Sequence, residues 1–194
     1  MATSREGPFR HTSSAIAARR MTEKRDHGGG LDAAIAKYGG SRAEWLDLST
    51  GINPVPYPMP TLPKDAWTAL PDEAAFERLY ALARRLWNVP EEAAIIGATG
   101  ASAIIAALPR VIPKGEVCIP GPTYNEHGAA FAASGWRLGQ DPSHALVAVH
   151  PNNPDGHIWK VSDLKAAYTV VDESFCDIAP DQSLIHLASR PGTV

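Results

Sequence analysis

Two polar groups that end apolar runs carry the clearest chemical signal. Ala145-Leu-Val-Ala-Val149 runs into His150-Pro151-Asn152-Asn153-Pro154-Asp155-Gly156, and Tyr168-Thr-Val-Val171 runs into Asp172-Glu173-Ser174-Phe175. Each run reads as a buried parallel strand stopped at its carboxyl end, the edge where open α/β sheets bind ligands. A buried carboxylate that lacks its partner costs about 3–5 kcal/mol. Asp172 therefore calls for a fixed cationic partner, and Asn153 for something to hydrogen-bond. Two other segments could join them. Gly97-Ala98-Thr99-Gly100-Ala101-Ser102 is a tight turn opening a helix, where free N–H groups and the positive dipole end suit a phosphate and Ser102 adds a hydroxyl. Taken alone, the turn reads rather as a plain β–α connection, because it lacks the Walker lysine-hydroxyl pair and the dinucleotide-binding spacing. Tyr124 sits at a strand-to-helix switch, where its ring could pack in the core or cover a planar ligand. His127 reads as a helix-surface residue rather than a base.

These residues need a frame. From Ala94 onward strands and helices alternate, which predicts an α/β fold with a largely parallel sheet and helices on both faces. Strands are expected at 94–96, 116–119, 136–138, 145–149 and 168–171. Helices are expected at 103–108, ending near Pro109, at 125–134, stopped by Gly135, and as a short crossover at 162–167. Upstream, Phe76, Leu79, Tyr80, Ala83, Leu86 and Trp87 recur at helical spacing behind an Asp72 cap and predict a core-facing stripe. A short helix is expected from Leu31 to Tyr38, closed by Gly39-Gly40, and a strand over 45–50. The Pro-rich 54–63 stretch reads as an extended connector. Residues 1–25 show no sustained apolar face and read as a disordered tail, or as a segment ahead of a start at Met21. The expected organisation is this tail, an N-terminal arm and connector over 26–63, and an incomplete large domain over 64–194. His27-Gly28-Gly29-Gly30 opens the arm as a hinge or as a close approach to a ligand.

Composition narrows the class. Across 194 residues the chain is 44% hydrophobic and 20% charged, with a formal net charge of −3. That balance is ordinary for a globular domain and gives no basic footprint for nucleic acid. No apolar run is long enough for a bilayer, so the cytoplasm is the expected location. Cys118 and Cys176 lie in apolar surroundings without metal-ligand spacing and read as buried free thiols, with no metal expected.

The glycine turn, Tyr124, Asn153 and Asp172 would share one side of one sheet and together suit a flat, phosphorylated, cationic heteroaromatic. Here the chain resembles the fold-type I pyridoxal-phosphate enzymes of the aminotransferase class I/II family. Pro122-Thr123-Tyr124, Asn152-Asn153-Pro154-Asp155-Gly156 and Asp172-Glu173-Ser174-Phe175, in that order, carry the resemblance over roughly Asp26 to Val194. By this resemblance Gly100, Ala101 and Ser102 would hold the phosphate of pyridoxal 5'-phosphate. Tyr124 would stack on the ring, Asn153 would donate to the ring oxygen, and Asp172 would pair with the pyridinium nitrogen, favouring its protonated form. Within the family, His27-Gly28-Gly29, Ser49-Thr50-Gly51-Ile52-Asn53-Pro54 and the Asp172–Phe175 segment look most like the threonine-phosphate decarboxylases of cobalamin biosynthesis. That implies a phosphorylated amino-acid substrate near His27 and Asn53, and a homodimer. Phe175 stands where the relatives that transaminate histidinol phosphate usually carry a tyrosine, which leans toward the decarboxylase. An aminotransferase of that kind and a non-catalytic remnant are the alternatives.

The chain also departs from the family. Leu70 stands where many relatives place a tyrosine that reaches the neighbouring subunit's cofactor phosphate. The lysines are Lys24, Lys37, Lys64, Lys114, Lys160 and Lys165. None follows Asp172, where the family carries its Schiff-base lysine, so no catalytic lysine can be assigned. The sequence therefore reads as the N-terminal part of a longer enzyme, whether a fragment, a truncated gene or a frameshift product. It would have an open, aggregation-prone sheet edge and no internal-aldimine absorbance.

Overall fold

The computed structural model describes residues 28–53 and 55–194, so His27 and the expected tail lie outside the described residues. Two compact units divide at Trp67/Thr68. In the first, α1 (Leu31–Tyr38) ends where Gly39, at φ 82°, donates its N–H to the Ile35 carbonyl. The strand expected over 45–50 does not form. Instead the Ser49 N–H and hydroxyl both bond Asp47 Oδ1, at 2.9 and 2.6 Å, and the Gly29 N–H reaches Ser49 Oγ at 2.7 Å. Short polar side chains that bond nearby backbone compete with strand pairing. Gly28, at φ +72°, lies so close to Ser49 that a Cβ would meet the Ser49 carbonyl oxygen at 2.2 Å. Residues 55–63 form no helix or strand, as the prolines dictate.

The second unit begins with α2 (Glu73–Leu86), capped by Asp72 Oδ1 accepting the Ala75 N–H at 2.8 Å. Its apolar stripe is not core. No residue of α2 is buried, and Phe76, Leu79, Leu86 and Trp87 are 41% to 75% exposed. Polar contacts tether the segment instead. The Gly97 N–H donates to the Tyr80 hydroxyl at 3.2 Å, Arg84 to the Ala93 carbonyl at 2.8 Å, and Trp87 Nε1–H to Asp177 at 3.1 Å. Periodicity reports a face suited to burial, not what covers it.

Residues 94–96 form no strand, and α3 (Ala101–Val111) runs past Pro109. Pro109 is buried, and its carbonyl accepts Trp136 Nε1–H at 3.0 Å. Core packing therefore carries the helix beyond the residue expected to end it. Then follow β1 (Glu116–Cys118), α4 (Asn125–Ala133), β2 (Arg137–Gly139), β3 (Ala145–Val149) and β4 (Tyr168–Asp172). The sheet is parallel in the order β2-β1-β3-β4, the α/β class expected. Gly135, at φ 74°, makes the turn from α4 toward β2. The 162–167 crossover reduces to a 3-10 turn at Val161–Asp163.

β3 is buried throughout, and its alternation separates two cores. Ala145 and Val147 join Leu108, Ile112, Val117, Phe131, Trp136 and Val170 on the face covered by α3 and α4. Leu146 and Ala148 join Cys118, Leu164, Leu184 and Leu187 on the other face, under short 3-10 turns. The outer edge of β4 is partly paired: Thr169 N–H bonds the Gly192 carbonyl at 2.7 Å and Val171 N–H the Val194 carbonyl at 2.8 Å. β2 has no outer partner among the described residues.

Phe131→Ala empties a fully buried site and is expected to cost about 3–5 kcal/mol in urea unfolding. Leu79→Ala in the exposed α2 stripe should stay within about 0.5 kcal/mol. Equal losses would show that the α2 stripe is core after all.

Candidate functional site

All four strands point the same way, so their carboxyl ends line one edge. β1 leads to the 119–124 loop and α4, β3 to 150–156, and β4 to Asp172. The carboxyl end of α3 feeds β1 through Pro113–Gly115, so its N-terminus at Gly100 points toward that same edge.

Asp172 is the best-organised group there. His127 Nε2 lies 2.8 Å from Asp172 Oδ2, with His127 1% exposed and the Asp172 side chain 12%. Oδ1 accepts the Ser174 N–H at 3.0 Å and the Ser174 hydroxyl at 2.6 Å. Burial pushes the Asp172 carboxyl upward. The hydrogen bonds from His127 and Ser174 outweigh it, and the net shift is below the ordinary 3.8. The partner that meets Asp172 is thus a hydrogen-bonding histidine, and His127 is corrected from surface residue to buried donor. The sequence held a signal for this. His127 and Phe131 are i and i+4 on one face of α4, and both are buried. Ser174 was part of the motif but had no assigned role.

Tyr124 is the N-cap residue of α4, half-buried, with its ring edge-on to His127 at 6.3 Å between centroids. Next to it, the Thr123 hydroxyl donates to Asn152 Oδ1 at 2.6 Å, and Asn152 Nδ2 donates to the Pro122 carbonyl at 2.9 Å and to Asp155 at 2.7 Å. The two asparagines therefore differ. Asn152 ties the β1 and β3 loops together. Asn153 is exposed, and among the described residues its side chain has no hydrogen-bond partner. The His150-Pro151 and Asn153-Pro154 bonds are cis, and Gly156, at φ 71°, returns its N–H to the Asn152 carbonyl at 2.7 Å.

Gly100, Ala101 and Ser102 form the exposed start of α3, with Gly100 at φ 88° and no side-chain cap. They share the edge with the Tyr124–His127–Asp172 group without a direct hydrogen bond to it. Asn53 lies in the first unit, exposed, its Oδ1 accepting the Val55 N–H at 2.9 Å.

Behind Asp172, His150, Glu173 and Cys176 bring ligand-type atoms within 4.8 Å of one another. Each is already engaged. His150 Nδ1 accepts the Trp159 N–H at 3.1 Å while Nε2 meets the Gln182 carbonyl at 2.8 Å. Glu173 accepts the Ser183 hydroxyl and the Leu184 N–H. The Cys176 thiol, pushed up by burial and then by Glu173 and Asp177, donates toward the Ala179 carbonyl. The cluster braces the strand ends. Cys118 and Cys176 are both free and buried, as expected.

Comparison with known proteins gives the class first. The histidinol-phosphate aminotransferase from Clostridium acetobutylicum superposes with a TM-score of 0.51 at 20% identity, covering 60% of this chain and 43% of that one. The chain thus shares the α/β fold of that aminotransferase over this span. In sequence, the chain is 34% identical to threonine-phosphate decarboxylase from Pseudomonas aeruginosa, over 87% of this chain and 55% of the relative. The enzyme of the same name from a Sinorhizobium species is also 34% identical, over 87% and 56%. The chain spans about half the length of these curated relatives. No protein-family model matches. No helix among the described residues is long and apolar enough to cross a membrane.

Asp172→Asn sets a carboxamide N–H against the His127 donor and is expected to cost about 1–3 kcal/mol in urea unfolding at pH 7. The folded carboxyl sits below 3.8. The wild-type advantage should therefore be complete above that value and vanish as pH falls through the lower folded one. An advantage independent of pH would place its origin elsewhere.

Proposed function

We propose that this chain carries the cofactor-binding part of a pyridoxal-phosphate-dependent lyase that decarboxylates L-threonine O-3-phosphate. The single observation that carries the reading is the carboxylate at the end of β4, clamped by His127 and Ser174. The relatives' name supplies the reaction.

The residues present fit such a cofactor. An ionised carboxylate with spare lone pairs suits a protonated ring nitrogen. Tyr124 stands beside it, and among the described residues the Asn153 carboxamide has no partner and the N-terminus of α3 offers N–H groups without a side-chain cap to a phosphate. When bound, pyridoxal phosphate supplies an electron sink for negative charge developing at the substrate Cα. Asp172 would hold the proton on the ring nitrogen and so keep that sink effective. Tyr124 would cover the ring, and Asn153 would donate to the ring oxygen. Gly100, Ala101 and Ser102 would bind the phosphate. His27 and Asn53 are proposed at the substrate.

Phe175 offers no hydroxyl to the ring oxygen, which favours the lyase over the histidinol-phosphate kind of aminotransferase. By the same resemblance the product would enter cobalamin biosynthesis, and the working form would be a cytoplasmic homodimer. CO2 release from threonine phosphate, rather than amino transfer to 2-oxoglutarate, would separate lyase from aminotransferase in an enzyme containing this chain.

Calorimetric titration of the chain with pyridoxal phosphate and with pyridoxal tests the site itself. The phosphorylated form should bind at least about tenfold tighter, and Asp172→Ala should lose on the order of tenfold or more. Equal binding of the two compounds, or an unchanged Asp172→Ala variant, would count against the reading.

A further inference from the structure

The inference rests on the cofactor reading above and concerns Asn152, a half-buried residue to which that reading gives no role. Its carboxamide uses both donors and one acceptor. The Thr123 hydroxyl donates to Oδ1 at 2.6 Å, and Nδ2 donates to the Pro122 carbonyl at 2.9 Å and to Asp155 Oδ1 at 2.7 Å. Its backbone is engaged as well, the N–H on the His157 carbonyl at 2.9 Å and the carbonyl on the Gly156 N–H at 2.7 Å. Pro122 and Thr123 lie 30 and 29 residues away in sequence. They run directly into Tyr124, and Asn153 directly follows Asn152. One carboxamide therefore sets the distance between the residue that would cover the cofactor ring and the residue that would bond its oxygen.

Only an amide satisfies these partners. A carboxylate accepts and cannot donate. In the place of Asn152 it would keep the Thr123 bond, but would turn a lone pair on the Pro122 carbonyl and a charge on Asp155. Asp155 is itself ionised. The hydrogen bond from Asn152, followed by the one from the His157 N–H, holds its carboxyl below the ordinary 3.8. We propose that Asn152 is a positioning residue: bonded to Thr123 and Pro122 on one side and to Asp155 on the other, it holds Tyr124 and Asn153 at the separation that lets them engage the cofactor ring together. It acts through its neighbours and needs no contact with the cofactor.

The near-isosteric N152D variant tests this by calorimetric titration with pyridoxal phosphate and with pyridoxal, each compared with wild type at about pH 8 and about pH 5. At the higher pH, N152D should bind both compounds on the order of tenfold more weakly. The factor should be the same for both, because the phosphate turn at Gly100 is untouched. Two carboxylates at hydrogen-bond distance raise the affinity of one of them for a proton. The protonated member is again a donor, so the deficit relative to wild type should shrink at the lower pH. The N152D/D155N exchange, which returns a carboxamide N–H between the two side chains, should recover affinity at the higher pH. Wild-type affinity in N152D, a loss confined to the phosphorylated compound, or a deficit unmoved by pH and by the exchange overturns the proposal and leaves the cofactor reading standing. If N152D does not fold, T123V decides, since it removes only the cross-loop donor to Oδ1. A loss of about threefold or more for both compounds supports the proposal, and unchanged affinity overturns it. A wild-type chain that binds neither compound removes the cofactor reading and this inference with it.

Discussion

A negative charge at the end of a buried strand is the constraint that orders this unit. Taken out of water without partners, a carboxylate loses several kcal/mol of solvation. Asp172 escapes that cost because three donors converge on it, two from Ser174 and one from His127. The Ser174 donors are local and come with the turn. The His127 donor is 45 residues away in sequence, and it arrives only because α4 packs on the sheet with Phe131 buried at its centre. The charge at the edge and the packing of the core are thus one requirement. Shifting α4 by one residue would rotate Phe131 out of the core and His127 away from the carboxylate.

Parallel strand order does the rest. Because β1, β3 and β4 lie side by side in that order and run one way, three loops distant in sequence start from one edge. Asn152 then fastens the first two by bonding Thr123 and Pro122, and the His150 N–H fastens the third by donating to the Asp172 carbonyl at 2.8 Å. Loops held by cross-links of this kind keep their geometry without a ligand, which a site needs if binding is not to bear the cost of ordering it.

How far the sequence could be read followed from how local each signal was. β3 and β4 were legible as unbroken apolar runs, because strands covered on both faces have no polar alternation to hide in. α1 and α4 were legible from their glycine stops. The strand forecast over 45–50 failed because Asp47 and Ser49 bond each other locally, and among the described residues no strand pairs with them. The α2 stripe was a true helical period whose burial the sequence could not guarantee. Within the candidate site, the positions of Tyr124, Asn153 and Asp172 after or at strand ends were legible, whereas the burial of His127 was not. A histidine's role depends on what faces it, and the facing residue lies on another element. Only the i, i+4 relation to Phe131 pointed inward.

The distribution of unmet hydrogen-bonding capacity separates frame from site. Native proteins satisfy nearly all buried polar groups, and here the frame obeys. Asn152, His150, Glu173 and Ser183 spend their donors and acceptors on neighbouring side chains or on backbone. At the edge the pattern changes. Among the described residues, Asn153 makes no side-chain bond, the second lone pair of Asp172 Oδ2 is unclaimed, and the first N–H groups of α3 have no side-chain cap. These three differ in kind, one carboxamide, one carboxylate acceptor and one set of backbone donors, and they lie along one edge. A ligand that met all three would carry a hydrogen-bonding ring oxygen, a ring N–H and an anion on one rigid plane. Pyridoxal phosphate has that arrangement, with its phenolic oxygen and phosphate arm on opposite sides of the ring and its nitrogen between them. That complementarity supports the proposed cofactor on chemical grounds, apart from any relative's name.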